Sequence, residues 1–250
     1  AILAAAACGL GGSVAFKRFR VRQEKRLLSD ELARVREGAR FDLGGVRQLL
    51  ATDVTFRRYM FAMSVFGAGH LMLTPLLVVC LDDVLQASEM VQVAITAAVP
   101  ILVMPLAIQP WARFLDRHHV ITFRAVHSRL AVAGSSVLAI AVLARLDWLL
   151  WPGALLMGAS LAAGSLGWSL GHNDFAPRGE ETRYMALHVT LTGLRGLIAP
   201  PVAILAYYAL QRVSPGLESW VMLLPVALIV WGAWTFAAMR RGIAEPGAAQ

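Results

Sequence analysis

The chain has 250 residues, of which 58% are hydrophobic and only 16% are charged. Soluble domains carry about 25% charged residues, so this composition, with a mean hydropathy of +0.61, excludes an ordinary soluble globular protein and points to a membrane. The formal net charge of +7 gathers in a few polar stretches, which suits a membrane protein with a basic cytoplasmic face and not a nucleic-acid binder.

Residues 1–16 (AILAAAACGLGGSVAF) are apolar and give way to a basic run. They read as the cytoplasmic end of a membrane helix that starts upstream; the apolar region of a signal peptide is the alternative. Residues 17–56 form a basic linker expected in the cytoplasm. Its Leu27, Leu28, Leu32 and Val35 could make one apolar helix face lying on the membrane surface, or the stretch could be solvated throughout. Six apolar segments follow, each near the ~20 residues needed to cross a bilayer. They are expected at 57–81, 88–110, 123–144, 150–173, 183–210 and 218–239. The predicted fold is thus all-α: a six-helix transmembrane bundle over 57–240, with a cytoplasmic tail at 241–250. The two cysteines, Cys8 and Cys80, sit in apolar runs. They offer neither a disulfide framework nor metal-ligand spacing, and no cofactor or metal is expected.

Orientation follows from lysine and arginine placement. The stretch before the first span, the connection between the second and third, the connection between the fourth and fifth, and the C-terminus together hold 20 basic residues. The opposite side holds two, Arg145 and Arg212. This asymmetry predicts that the linker and the C-terminus face the cytoplasm, as an even number of spans requires.

The remaining cation, Arg195, lies within 188-HVTLTGLRGLIAPP-201. A charge at the centre of a spanning helix costs at least ~2.5 kcal/mol. About 12 residues of helix separate it from the membrane edge, roughly 18 Å, too far for easy snorkelling. It should therefore face a cavity or a partner. His188 and Thr192 share its helix face, and Gly193 and Gly196 flank it. Two readings stand: a site for an anionic group of a substrate, or a structural pair with a carboxylate such as Asp174. His70 sits midway along the first span and reads as a substrate contact, a proton carrier or an interhelical hydrogen bond. Trp168, His172 and Asn173 come from 168-WSLGHND-174 and are candidates for the cavity lining, with Asp174 a gate candidate. Gly167 and Gly171 make a GxxxG pair, and Ser160 and Gly164 a small-xxx-small pair, both favouring close helix contact. Prolines inside the spans at positions 75, 100, 105, 200 and 225 invite kinks. No Asp or Glu falls in the middle of a span.

The connection 112-ARFLDRHHVITFR-124 resembles the cytoplasmic loop motif G-x-L-x-D-R-x-G-R-[KR] of the major facilitator superfamily. Asp116 and Arg117 match its Asp-Arg pair and Phe114 its apolar position, whereas Ala112, His119 and Val120 depart from it. The layout, a helix end, a basic linker and six spans with this loop between the second and third, resembles the end of the sixth helix, the central loop and the C-terminal half of such a transporter. The resemblance implies a secondary transporter working by alternating access, and a second, N-terminal six-helix half of the same polypeptide as partner. It also implies a small solute bound at the midplane between the halves, with Arg195 favouring an anion. Asp116 and Arg117 would be gating residues, and the location would be a bacterial cytoplasmic (inner) membrane.

Two other readings compete. Gly158 and Ser160 form a loose Gly-x-Ser motif, as in a rhomboid-like intramembrane serine protease. The sixth span has no histidine to serve it, however, and the second lacks the one expected beside an oxyanion. A non-transporting sensor or scaffold on the same fold is the third reading.

Overall fold

The computed structural model describes residues 43–242. The expected helix end at 1–16, most of the linker with its apolar Leu27, Leu28, Leu32 and Val35, and residues 243–250 of the tail lie outside the described residues. The chain divides into two compact units, 1–49 and 50–250. The first contributes only 43–49, within helix α1 (Leu43–Thr52).

The second unit is all-helical over its described residues, and six of its helical segments are long and apolar enough to cross a membrane. They are α2 (Val54–Asp83); a segment made of α3 (Glu89–Val93), a π-helical turn (Ala94–Ala98) and α4 (Val99–Leu115); α5 (Val120–Ala144); α6 (Leu150–Leu170); α7 (Glu181–Val213); and α8 (Leu223–Arg240). All six expected spans are matched to within about five residues at each end. The third begins at Val120 rather than 123, because the His119 side chain accepts from Ile121 N at 3.2 Å and Asp174 accepts from Val120 N at 2.6 Å. These bonds satisfy two of the orphan donors at the helix start. Arg124 and Arg129, counted at the edge of the cytoplasmic connection, thus lie a turn deeper in α5 than the expected start placed them. The fourth span ends at Leu170, three residues before the expected 173, and leaves His172 and Asn173 in the following turn.

Proline shapes the second span. Pro100 has no N–H and its ring clashes with the carbonyl four residues back. The chain answers with a π-turn just upstream, in which Val99 N donates to Ala94 O, five residues away.

The spans pack as an open series: α7 on α2, α2 on α8, α8 on α5, α5 on α6, and α6 on α4. The two ends of this series, α4 and α7, have one principal neighbour each. Only 11% of the apolar window of each is buried, against 33–50% for the other four. Glycines set the close approaches. A Cβ on Gly232 of α8 would lie 2.5 Å from Phe66 Cβ of α2, and one on Gly158 of α6 would lie 2.8 Å from the Pro100 backbone of α4.

Helices α2 and α7 run in the same direction and are bonded at both ends. Tyr184 donates its hydroxyl hydrogen to Asp53 at 3.1 Å, and Tyr207 donates to Asp83 at 2.9 Å. Around the first tie, Phe56, Tyr59, Phe175 and Tyr184 form an aromatic cluster, with Phe56–Tyr184 ring centroids 4.5 Å apart and Tyr59–Phe175 4.8 Å.

Candidate functional site: two arginines between the spans

Arg195 projects from α7 toward α2. Its guanidinium donates to the main-chain carbonyl of Met63 through Nη1, and to Thr192 Oγ1 at 2.8 Å through Nη2. Its Nε is buried without a partner. The room comes from Gly67, where a Cβ would lie 2.6 Å from Arg195 Cζ. Thr192 in turn donates to His188 O at 2.8 Å and receives Trp168 Nε1–H from α6 at 3.4 Å. The Trp168 and His188 rings meet edge-on at 5.8 Å. The structure therefore gathers Arg195, Thr192, His188 and Trp168 into one connected group. His188 is fully buried, and neither ring nitrogen has a partner. Gly193 and Gly196 face open space, since a Cβ on either would meet nothing within 4 Å.

The second arginine escapes a reading from sequence alone. Arg124, in the second turn of α5, is 2% exposed. Its guanidinium fills the space over Gly167 of α6, where a Cβ would lie 2.8 Å from Arg124 Cζ. Both Nε and Nη2 are buried without a hydrogen-bond partner. Arg124 and Arg195 are close enough to act on each other electrostatically, and both act on His70 and His188. No carboxylate among the described residues pairs with either arginine. Asp174, offered above as a structural partner for Arg195, is committed elsewhere. It caps α5 at Val120 and lies 3.9 Å from His119 Nδ1. A desolvated guanidinium with unfilled donors favours an anion, because guanidinium binds carboxylate and phosphate oxygens through parallel N–H bonds.

His70 is half-buried on α2. Its Nδ1 is 3.3 Å from Phe66 O, and its ring lies 4.5 Å from that of Phe66. It is joined to the Arg195 group only by electrostatics. His172 is buried in the turn after α6 with Nδ1 unpartnered, whereas Asn173 is exposed. Burial holds the His172 pKa below its usual value, partly offset by Glu181. Asp116 and Arg117 are exposed at the end of α4, and neither side chain bonds another described residue. The contact that does link two connections at this end is Asp174 on Val120.

Ser160 and His127 do meet: Ser160 Oγ is 3.2 Å from His127 Nε2. The same nitrogen is 3.0 Å from Ser160's own carbonyl oxygen, so Nε2 must carry the hydrogen and donate. A nitrogen that donates to a carbonyl has no lone pair with which to take the serine proton.

No family model matches the chain, and no curated protein or solved structure matches it.

Proposed function

We propose that this chain is a six-helix half of a secondary transporter of the major facilitator type, and that it carries a small anionic solute by alternating access. The observation that carries the reading is the pair Arg124, buried, and Arg195, half-buried: two guanidiniums, each with a buried unfilled donor, and no carboxylate partner among the described residues. A charge kept at this depth is costly unless it meets a counter-charge. A substrate that supplies the charge only when bound turns that cost into affinity. Trp168, Thr192 and His188 would orient the anion around Arg195, and His70 would border the same cavity.

The poorly covered faces of α4 and α7 support a second six-helix bundle as the partner. Substrate would then sit between the bundles near the midplane. Asp116, Arg117 and Asp174, at the end where the connections meet, would take part in closing the cavity on that side. By the positive-inside rule this end is cytoplasmic.

The test is a thermal-shift screen of the detergent-solubilised protein with acetate, succinate, citrate, sulfate and phosphate, followed by uptake of any hit into proteoliposomes. At least one anion should raise Tm in the wild type. Neither Arg195→Gln nor Arg124→Gln should respond, although both insert into membranes. Wild-type uptake by Arg195→Gln would sink the site assignment.

A further inference from the structure

Away from Arg124 and Arg195, the first turns of α2 and the last turns of α8 enclose an open groove of about 520 Å³. Its rim carries Arg57 and Arg58, both exposed. One donor of Arg57 is used, Nη1 on Leu50 O at 3.1 Å. Arg58 makes no side-chain bond to another described residue. No carboxylate among the described residues lines the groove. The nearby Asp53 already accepts from Phe56 N at 2.8 Å and from the Tyr184 hydroxyl at 3.1 Å. The rim therefore presents two adjacent guanidiniums with no carboxylate partner among the described residues.

The wall below is of opposite character. Phe61 lies one helix turn deeper than Arg57 and Arg58, and Trp234 more than a turn below Met239, at the other side of the groove. Phe61 and the exposed Trp231 meet edge-on at 5.8 Å and continue the apolar surface downward. The order from the membrane edge inward is cation, then aromatic ring, then hydrocarbon.

We propose that this groove is a binding site for an anionic phospholipid. The guanidiniums take the phosphate as paired N–H donors. Trp234 lies at the depth of the glycerol and ester groups, where amphipathic rings are favoured. Phe61 and Trp231 lie along an acyl chain. Basic pockets between spanning helices hold charged headgroups in this manner. Two cations on one phosphate favour a headgroup with net negative charge over a zwitterionic one. A free phosphate would meet the arginines but leave the aromatic wall uncovered. The site stands apart from the transport reading and does not depend on it.

The experiment is native mass spectrometry of the whole chain in detergent, titrated with phosphatidylglycerol, with phosphatidylcholine of the same acyl chains, and with free sn-glycerol 3-phosphate. Wild type should retain phosphatidylglycerol, and the double variant Arg57→Gln/Arg58→Gln should bind it at least about tenfold more weakly. The control Arg113→Gln/Arg117→Gln, exposed at the same end but outside the groove, should bind as wild type does. Equal retention by the two double variants would overturn the site. Equal binding of phosphatidylcholine would overturn the charge preference. Displacement of the lipid by an equal concentration of glycerol phosphate would make this a soluble-phosphate site instead. Should the arginine variant fail to fold, Trp234→Phe decides the matter. Quenching of tryptophan emission by brominated phosphatidylglycerol should fall in that variant, and unchanged quenching would remove the lipid from this groove.

Discussion

Gly67 and Arg195 share one space: a Cβ at position 67 would stand 2.6 Å from Arg195 Cζ. The guanidinium is the end of a flexible side chain, so Gly67→Ala should displace it without parting the helices. The expected result is a Tm within a few degrees of wild type but an anion-induced Tm shift that is lost. Gly193→Ala, which meets nothing within 4 Å, should keep the shift. Loss of the response in both variants, or in neither, would separate anion binding from the position of Arg195.

Arg124 sets function against stability. Its buried donors lack partners, so the free protein bears the desolvation cost of a charge without a counter-charge. Arg124→Met keeps the aliphatic stem and removes that cost. Replacing buried ions by apolar groups of similar size is often stabilising, by about 1–4 kcal/mol. The variant should therefore melt higher than wild type in the absence of anions and show no anion response. A lower Tm would mean that Arg124 already has a counter-charge in the free protein.

Gly232 packs against backbone as well as side chain: a Cβ there would stand 2.8 Å from Phe66 Cα and N. These atoms cannot rotate away, so Gly232→Ala must force α2 and α8 apart, at a cost of about 1–3 kcal/mol. Gly164→Ala should be neutral or slightly stabilising, because the nearest atom, His127 Nε2, is at an ordinary 3.9 Å. Denaturation in mixed micelles would rank the two, and equal midpoints would contradict the α2–α8 packing.

The ties between α2 and α7 are hydrogen bonds to carboxylates, a kind that contributes about 1.5–3 kcal/mol when desolvated and less at an interface. Tyr184→Phe and Tyr207→Phe should each lower stability by about 1 kcal/mol. Double-mutant cycles with Asp53→Asn and Asp83→Asn should show coupling within each pair and none across pairs. Additive effects within a pair would mean that its bond contributes nothing.

His172 gives the fold a pH dependence. Its folded-state pKa lies below the unfolded value, so the unfolded chain binds the extra proton first and stability falls as pH drops through about 6.5. Stability contributed by the neutral ring is fully present above that pH. His172→Gln should therefore show a shallower loss of Tm than wild type between pH 7 and pH 5. Parallel curves would assign the acid sensitivity to other groups.

The spans were legible because each exposes a long apolar run to lipid, and Arg195 because a lone charge in such a run has no inexpensive explanation. Arg124 was missed for a definite reason. It is the fifth residue of α5, next to the expected span start at Phe123, so it was counted with the cations at the edge of the cytoplasmic connection. A usable signal was present: Arg124, His127, Ser128, Ala131 and Ser135 recur at helical spacing, and all five are buried. A polar or small-residue stripe on a spanning helix marks the face turned away from lipid. The roles of Gly67 and Gly167 could not be read at all, since each glycine serves a guanidinium far away in sequence. Gly167 and Gly171, expected as a helix-contact pair, do lie against α5, whose Arg124 guanidinium and Val120 side chain fill the space over them, and the Tyr59 hydroxyl also reaches Gly171.

The two tyrosine–carboxylate bonds have a bearing on the bilayer itself. From Val54 to Asp83, α2 runs for 30 residues, which corresponds to about 45 Å of helix. That matches the ~40–45 Å of a bilayer counted with its headgroups, so Asp53 and Asp83 each reach a headgroup layer when the helix stands near upright. The same pair of bonds fastens α7 to both levels. Helices joined at both faces cannot tilt independently, so in a thinner bilayer α2 and α7 must lean together and take Arg195 with them. Membrane thickness would thereby be a control on the position of the Arg195 charge.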